Sequence, residues 1–302
     1  MMEENRPRAG VMEQLAPGVR RLLAPNPSPM TYWGTNTYVL GEGAVTVIDP
    51  GPALPAHYDA LLAGLAPGET IAHILVTHAH LDHSPLARPL AEATGAPVLA
   101  FGPAEAGRSA VMERLAAQGL SGGGEGVDSE FAPDETLADG DRVPLGDGRS
   151  LEVLHTPGHM AGHLSFALGD VVFTGDHVMG WASTLISPPD GDLAAFLASC
   201  TRLLARDDRI FYPAHGAPIE APAARLSWLI AHRENREAHI LAELAAGPAT
   251  IPALARAIYT DTPPALIPAA ERNIFAHLIN LTSRNRVRAR PQLGPSATFE
   301  AI

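Results

Sequence analysis

The chain has 302 residues, a formal net charge of −12 and a hydrophobic fraction of 46%. This length predicts two domains at roughly 150 residues each, and the composition excludes a mostly disordered chain. The acidic balance excludes general electrostatic attraction to nucleic acid, so a polyanion would need a local basic patch. No apolar run approaches the roughly 20 residues of a spanning helix, and we expect no membrane partner.

The N-terminal residues and the cysteine content indicate the cellular compartment of the protein. Met1–Arg6 is polar and has no apolar segment, which predicts that there is no signal peptide and that the protein is cytoplasmic. The single cysteine, Cys200, excludes an internal disulfide. It lies among alanine and leucine residues in a helix-like segment, and we expect an unreactive core residue.

The first two thirds of the chain alternate short apolar segments with helical ones. The predicted strands, bounded by Gly, Pro or Asp, are Thr37–Leu40, Ala44–Ile48, His73–Val76, Pro97–Phe101, Leu151–His155, Leu164–Leu168, Asp170–Phe173 and Arg209–Phe211. Pro85–Thr94 is predicted to be a helix with Ser84 as its N-cap and Gly95 after its end. A second amphipathic helix is predicted within residues 103–119, and glycine-rich Ser121–Gly126 is typical of a mobile loop.

The composition changes after Gly216, where the pattern becomes mainly helical. Apolar residues at helical spacing and one extended tail predict helices over 222–245, Thr250–Tyr259 and 268–282 and a strand over Arg286–Arg290. Three helices followed by a strand are typical of a winged helix. We therefore predict two domains, 1–220 and 221–302.

The clearest chemical pattern lies directly after the predicted strand His73–Val76. Within six residues the sequence places four side chains that can bind metal, namely His78, His80, Asp82 and His83. Three later predicted strands are followed in the same way by His159, Asp176 and His215. Neutral imidazole and carboxylate groups suit zinc, and also iron or manganese. Loops at one edge of a sandwich can share one pocket, so we expect these side chains to converge on metal.

The four motifs THAHLDH, TPGH, TGD and AHG, in this order, resemble those of the metallo-β-lactamase superfamily over residues 15–220. The resemblance implies an α/β fold, the αββα four-layer sandwich, with the site along one edge of its two sheets. The metal ligands that it implies are His78, His80 and His159 for one divalent ion and Asp82, His83 and His215 for a second, with Asp176 bridging them.

A centre of this kind implies a metal-dependent hydrolase. A water held between two cations loses its proton near neutral pH and becomes a hydroxide nucleophile, while the ions polarise the substrate. Zinc is the expected metal, with iron and manganese left open. Asp82 is expected to orient the hydroxide in addition to binding metal. His177 is expected to donate a proton to the leaving group.

Three further residues are candidates for supporting roles. Asp49 ends a predicted strand and is expected to accept the second N–H of a ligand histidine, although an Asx-turn cap explains it equally well. Asn36 is expected to contact the substrate. Trp181 is expected to form a wall of the substrate pocket, with simple packing as the alternative.

Three segments indicate a branch of the superfamily, namely Asn26–Met30 with Gly34–Tyr38, Gly175–Gly180 with Ser187–Gly191, and the winged-helix tail. They resemble the beta-lactamase-like protein 2 group, and this resemblance implies an endoribonuclease acting on single-stranded RNA. Independently, the alternating Arg284, Arg286, Arg288 and Arg290 form a basic stripe that favours a phosphate-bearing substrate. A charged edge strand that resists pairing is the alternative.

The expected activity is therefore phosphodiester cleavage in single-stranded RNA, and two alternatives stay open. One is hydrolysis of a small-molecule thioester or ester, of the hydroxyacylglutathione hydrolase type. The other is a nucleic-acid-binding protein whose metal site is structural. The sequence also leaves a homo-oligomer open.

Overall fold

The structure, a computed structural model, describes residues 6–302, and the segment Met1–Asn5, on which the signal-peptide expectation rests, lies outside the described residues. The strands are β1 (Met12–Ala16), β2 (Val19–Leu23), β3 (Asn36–Leu40), β4 (Ala44–Ile48), β5 (Thr70–Leu75), β6 (Val98–Ala100), β7 (Glu135–Thr136), β8 (Arg142–Pro144), β9 (Ser150–His155), β10 (Leu164–Leu168), β11 (Val171–Gly175), β12 (Ile210–Pro213), β13 (Ala249–Thr250), β14 (Val287–Arg290) and β15 (Thr298–Ala301). The helices are α1 (Pro55–Ala63), α2 (Ala87–Thr94), α3 (Ala110–Ala117), α4 (Leu193–Leu204), α5 (Pro222–Ala246), α6 (Ile251–Ile258) and α7 (Ile267–Ser283), with a 3-10 helix at Pro264–Leu266. Within residues 6–302, no helix combines the length and the apolar character needed to cross a membrane.

Two sheets form the centre of the first part of the chain. The larger has the strand order β1-β2-β3-β4-β5-β6-β7, and the smaller has the order β12-β11-β10-β9-β8. Their facing sides bury one apolar layer, in which Ile48 and Leu75 of the larger sheet belong to the same cluster as Val153, Phe166 and Phe173 of the smaller. Burying side chains of this size contributes roughly 1.5–3 kcal/mol each, so this layer holds the two sheets together.

Helices cover the two outer faces of this pair of sheets. On the larger sheet, Leu61 of α1 and Leu90 of α2 join the apolar cluster. On the smaller sheet, Phe196 of α4 and Leu226 and Leu229 of α5 do the same. The resulting order of layers is helix, sheet, sheet, helix, which confirms the predicted αββα sandwich.

The predicted helix Pro85–Thr94 corresponds to α2, but its start was predicted wrongly. The helix begins at Ala87 and no side chain caps it, whereas Gly95 ends it in the left-handed conformation as predicted, with φ 75°. Ser84 is not the N-cap because it lies three residues before Ala87, and Leu86 holds the N-cap position. The Ser84 hydroxyl donates instead to Asp128 Oδ2 at 2.8 Å.

The last part of the chain forms the winged helix that the sequence predicts. Helices α5, α6 and α7 pack together, and β13, β15 and β14 form a three-stranded sheet in that order. The predicted strand Arg286–Arg290 corresponds to β14, and it pairs with β15, which sequence patterns did not indicate. The predicted helix Thr250–Tyr259 corresponds to α6, which begins one residue later, and Thr250 at its N-cap position makes no side-chain capping hydrogen bond.

Helix α5 is 25 residues long and belongs to both apolar cores. Leu229 packs against the smaller sheet, whereas Ile240 and Leu244 lie in the core of the winged helix. Met112 of α3 also lies in that C-terminal core. The boundary predicted between residues 220 and 221 falls just before α5. It stays a prediction, because packing continues across it.

Candidate metal centre

Seven buried side chains from four loops converge where the two sheets adjoin. They form two groups, within each of which the ligand-capable atoms lie within 4.8 Å of one another; the groups are His78, His80, His159 and Asp176, and Asp82, His83 and His215. The loop after β5 supplies four of these residues, and the loops after β9, β11 and β12 supply one each. The structure therefore places all seven predicted ligands in one cluster.

Asp176 lies between the two groups. Its Oδ2 is 3.5 Å from His159 Nε2 and 4.0 Å from His78 Nε2, whereas its Oδ1 is 3.2 Å from His215 Nε2. Within the described part of the chain, Asp176 Oδ1 and His83 Nε2 are buried and make no hydrogen bond. A buried polar atom without a partner is costly, so two such atoms in one cluster fit a bound cation.

Four of the clustered histidines use their second ring nitrogen in a hydrogen bond that points away from the cluster. The partners, at 2.8 to 3.1 Å, are Asp49 Oδ2 for His83, the Leu185 carbonyl for His159, the Gly34 carbonyl for His215 and Thr77 Oγ1 for His78. Carbonyl and carboxylate oxygens only accept, and the Thr77 hydroxyl donates to Asp49, so Nδ1 of each ring carries a proton. Nε2 is then the nitrogen left to bind a cation, after loss of its own proton where the ring is charged. Histidines that bind metal are oriented in this way, and the donor set fits two divalent ions.

Asp49 is the anchor of the loop that carries four of the clustered residues. Its carboxylate accepts from the Thr77 backbone N–H at 2.7 Å, from Thr77 Oγ1 at 2.8 Å and from His83 Nδ1 at 2.9 Å. Its backbone adopts a left-handed conformation with φ 49°, which Asp tolerates better than most residues. Asp49 thus accepts the Nδ1–H of His83, which is the hydrogen bond that the sequence-based hypothesis proposes for it.

Without bound metal, the pKa values of the clustered histidines shift in different directions. Burial, with the neighbouring imidazole of His159, lowers the pKa of His80 to about 3, so its ring is neutral and able to bind a cation. Burial by itself would lower the pKa of His215, but the carboxylates of Asp176 and Asp82 raise it to about 10. A proton therefore sits in the second group between two carboxylates, and binding of a cation there releases it.

His163, four residues after His159, holds the backbone of Asp176 in place. Its Nε2 accepts the Asp176 backbone N–H at 3.2 Å, and its Nδ1 lies 2.9 Å from Thr156 Oγ1. A Cβ at Gly175, where φ is 50°, would lie 2.5 Å from His163 Nε2. The glycine of the TGD motif therefore lets this imidazole approach, and it is the sequence signal that points to a neighbour here.

A pocket of about 230 Å³ opens onto the cluster. Its apolar wall consists mainly of Pro29, Met30, Met179, Trp181, Leu185, Leu266, Ala269 and Ala270, so the winged helix supplies part of it. Trp181 lies in this wall as expected and stacks on Tyr32, with ring centroids 4.8 Å apart. At one side, Ser28 Oγ donates to Glu125 Oε1 at 2.6 Å and joins the proline-rich loop to the glycine-rich loop.

The structure does not bring His177 to this pocket. Its ring is fully buried against Phe196, and its Nε2 lies 3.6 Å from Cys200 Sγ. Burial lowers the pKa of His177 to about 3 and raises that of the Cys200 thiol to about 12. The His177 ring is neutral and lies in the apolar layer beside α4, where it cannot contact the leaving group of a substrate in the pocket. The expected role of His177 as proton donor therefore has no structural support.

The structure also places Asn36 away from the pocket. Its Nδ2 donates to the carbonyls of Pro213 and Gly216, at 3.0 Å each, and the side chain is buried. These hydrogen bonds fix the loop that carries His215. Asn36 is therefore engaged in holding a ligand loop and has no donor left for a substrate.

Two family profiles match the chain. The profile described as "Metallo-beta-lactamase superfamily" matches residues 30–215, and the one described as "Beta-lactamase associated winged helix domain" matches residues 250–293. A "Beta-lactamase-like protein 2 homolog" from Drosophila melanogaster is 31% identical over 287 residues, which cover 91% of each chain. An "Atrochrysone carboxyl ACP thioesterase" from Aspergillus fumigatus is 30% identical over 241 residues, covering 77% of this chain and 67% of the relative.

Comparison with solved structures also indicates the metallo-β-lactamase fold. A metallo-beta-lactamase family protein from Thermus thermophilus is 28% identical, with a TM-score of 0.75 and coverage of 96% of this chain and 100% of that one. A second protein, solved in a di-iron-bound form, is 30% identical with a TM-score of 0.50, and covers 66% of this chain and 96% of that chain. The likeness to the first extends over both parts of the chain.

Proposed function

This chain belongs to the metallo-β-lactamase superfamily and is a hydrolase, and we propose that it cleaves a small-molecule thioester or ester with an apolar acyl part. The observation that carries the proposal is the wall of the pocket that opens onto the clustered ligands. Beside those ligands this wall is mainly apolar, and within residues 6–302 no arginine lines it.

The charged side chains that line the pocket favour a neutral substrate over a polyanion. The charged side chains lining it within residues 6–302 are acidic, and Glu125 is the one among them that does not belong to the clustered groups. Apart from the two proposed ions, a phosphodiester would meet no arginine or lysine side chain in this wall, within residues 6–302, to pair with its anionic oxygens. An acyl chain meets a surface that releases water at a gain of roughly 25 cal/mol for each Å² buried.

The arginine stripe does not supply the missing cations to the pocket. Arg284 pairs with Glu237 at 2.9 Å, and Arg288 and Arg290 pair with Glu300 at 3.4 and 2.8 Å. These pairings support the alternative of a charged strand surface. Cleavage of single-stranded RNA stays a prediction with less support than thioester hydrolysis, as does nucleic-acid binding by the winged helix.

The comparisons support the same choice. A relative of 30% identity is described as an acyl carrier protein thioesterase, and its match covers 77% of this chain. A thioester carbonyl is neutral and needs an activated nucleophile rather than a cationic binding cleft. Both requirements agree with the apolar wall and the ligand cluster.

We propose that two divalent ions are held, one by His78, His80, His159 and Asp176 and the other by Asp82, His83, His215 and Asp176. When bound, such ions supply an activated water and polarise the substrate carbonyl. Imidazole and carboxylate ligands favour zinc, and iron is the alternative, since a relative was solved with two iron ions. Cytoplasmic location and homo-oligomer formation remain predictions.

The protein's own residues orient these groups and limit access of water. Thr35 Oγ1 donates to Asp82 Oδ2 at 3.2 Å, and this carboxylate lies 3.2 Å from both His83 Nε2 and His215 Nε2. Asp82 is thus held at the floor of the pocket, where we keep it as a candidate ligand and orienting group. The stacked Trp181 and Tyr32 keep one wall rigid and apolar, which lowers the local dielectric around a developing oxyanion.

A substrate panel tests the proposal. Metal-loaded protein is assayed with acyl thioesters of increasing chain length, with the matching esters and with a single-stranded RNA. We expect thioester turnover with kcat/KM rising as the acyl chain lengthens, and loss of turnover in Asp176→Asn. Asp170→Asn, which changes an exposed partner of Arg209, is the matched control and should keep full activity. RNA cleavage without thioester turnover would contradict the proposal.

A further inference from the structure

A buried arginine links α5 to a loop of the pocket wall. Arg233 is 2% exposed, and within residues 6–302 it has no carboxylate partner. Its Nη2 donates to the Thr184 carbonyl, and its Nη1 donates to Asn273 Oδ1 of α7 at 3.1 Å. A buried cation without an anion is unfavourable for stability, so an arginine at this position needs another explanation.

The segment that Arg233 contacts is held at three consecutive residues. The Thr184 carbonyl accepts from Arg233, the Leu185 carbonyl accepts from His159 Nδ1 at 2.8 Å, and the Ile186 N–H donates to Asn273 Oδ1 at 3.1 Å. The segment belongs to no helix or strand, so no ladder of backbone hydrogen bonds fixes it. Its position depends on these hydrogen bonds, of which those to Arg233 and Asn273 come from the winged helix, and on the hydrogen bond that Thr184 Oγ1 donates to the His177 carbonyl.

We propose that Arg233 and Asn273 are positioning residues for His159. The Leu185 carbonyl selects the Nδ1–H form of the His159 ring and sets its direction. As a result, His159 Nε2 lies 3.1 Å from His80 Nδ1 and 3.5 Å from Asp176 Oδ2. A shift of residues 184–186 would turn this ring out of the cluster. The winged helix thus orients one metal ligand in addition to lining the pocket.

The effect is specific to one of the two groups. His83 takes its orientation from Asp49, and His215 takes it from the Gly34 carbonyl, and neither hydrogen bond involves a residue of α5 or α7. Loss of the Arg233–Asn273 contacts therefore weakens the ion held with His159 and spares the other. The inference does not depend on which bond the enzyme cleaves, but it rests on the two-ion assignment.

Metal titration of five variants tests the inference. Metal-free protein is titrated with Zn²⁺ against a chromophoric chelator, and His159→Ala and His215→Ala identify which binding step belongs to which group. We expect Asn273→Ala to weaken the His159 step by about 10- to 100-fold, the range for partners of metal-binding histidines, and to leave the other step unchanged. Asn273→Asp keeps the acceptor for both donors and should retain wild-type affinity. Asn235→Ala, at an exposed site on α5, is the matched control.

A second readout needs no metal and no activity. In the metal-free protein, long-range ¹H–¹⁵N NMR should report His159 as the Nδ1–H tautomer, and Asn273→Ala should change it to a mixture. Arg233→Met should act like Asn273→Ala, and if it fails to fold, the Asn273 variants still decide the question. Equal weakening of both steps, or no change in either, would overturn the inference. Wild-type protein that binds fewer than two ions would instead remove the two-ion assignment itself.

Discussion

At the scale of single residues, Asp49 shows how one side chain outside the ligand set fixes the geometry of the centre. Its two oxygens accept three donors, two of them from Thr77 and the third from His83. Because the carboxylate can only accept, it fixes the proton of His83 on Nδ1. It also fixes Thr77 as the acceptor for His78, so its influence reaches both groups of the cluster.

Replacing Asp49 by Asn should weaken metal binding by about 10- to 100-fold, the range found for such partners. Asn tolerates the left-handed backbone as Asp does, so the change leaves φ unstrained and replaces one acceptor oxygen by an NH₂ group that faces donors. Chelator competition measures the affinity. The matched control is Asp207→Asn, an exposed residue with φ 58°. Unchanged affinity in Asp49→Asn would mean that the loop is held without this carboxylate.

Residues whose chemistry shows in local spacing could be predicted from the sequence, and residues that act through distant contacts could not. The clustered His and Asp residues each follow an apolar strand, which is a local pattern. By contrast, Asn36 reaches the loop of His215 across 177 and 180 positions of chain, and Arg233 reaches Thr184 across 49. A polar residue in such a contact has no local signal. For this reason Asn36 was predicted to contact substrate instead of backbone.

At the scale of elements, α4 covers the smaller sheet and is capped by a side chain. Asp192 Oδ1 accepts the backbone N–H groups of Ala194 and Ala195 at 2.9 and 3.2 Å. Asp192→Ala removes this cap and should lower the free energy of unfolding by about 1 kcal/mol. Urea denaturation measures the change. Asp170→Ala breaks only an exposed ion pair and should alter stability by less than about 0.5 kcal/mol. An equal loss in both variants would contradict the capping role.

Elements with a clear apolar pattern were predicted closely, and those stabilised by distant polar partners were missed. Leu164–Leu168 is β10 with the predicted limits, because a run that is apolar except at Ser165 marks a strand buried on both faces. Strand β2 carries Arg20 and Arg21, which interrupt that pattern. Arg20 is satisfied by Glu69 at 2.8 Å, 49 positions away. Helix α1 begins after Leu54 with no side-chain cap, so Pro55 at its first position is the one local signal of its start.

At the scale of the whole molecule, the sandwich and the winged helix share their packing. Helix α5 buries Leu229 against the smaller sheet and Ile240 in the C-terminal core, and Met112 of α3 lies in the latter. The pocket likewise takes its walls from both parts, with Trp181 from one and Leu266 from the other. The two family profiles therefore match separate segments of the chain, but the pocket is formed by residues from both segments.

The metal-free protein should accordingly unfold in a single cooperative transition. Scanning calorimetry should give equal calorimetric and van't Hoff enthalpies. Leu229→Ala in the first core and Leu278→Ala in the C-terminal core, both fully buried, should each lower stability by roughly 2–5 kcal/mol and shift the same transition. Val11→Ala, at a side chain 45% exposed, should leave it unchanged. Two peaks, only one of which moves with each variant, would show that the parts unfold separately. In that case the C-terminal wall of the pocket could detach without loss of the sandwich.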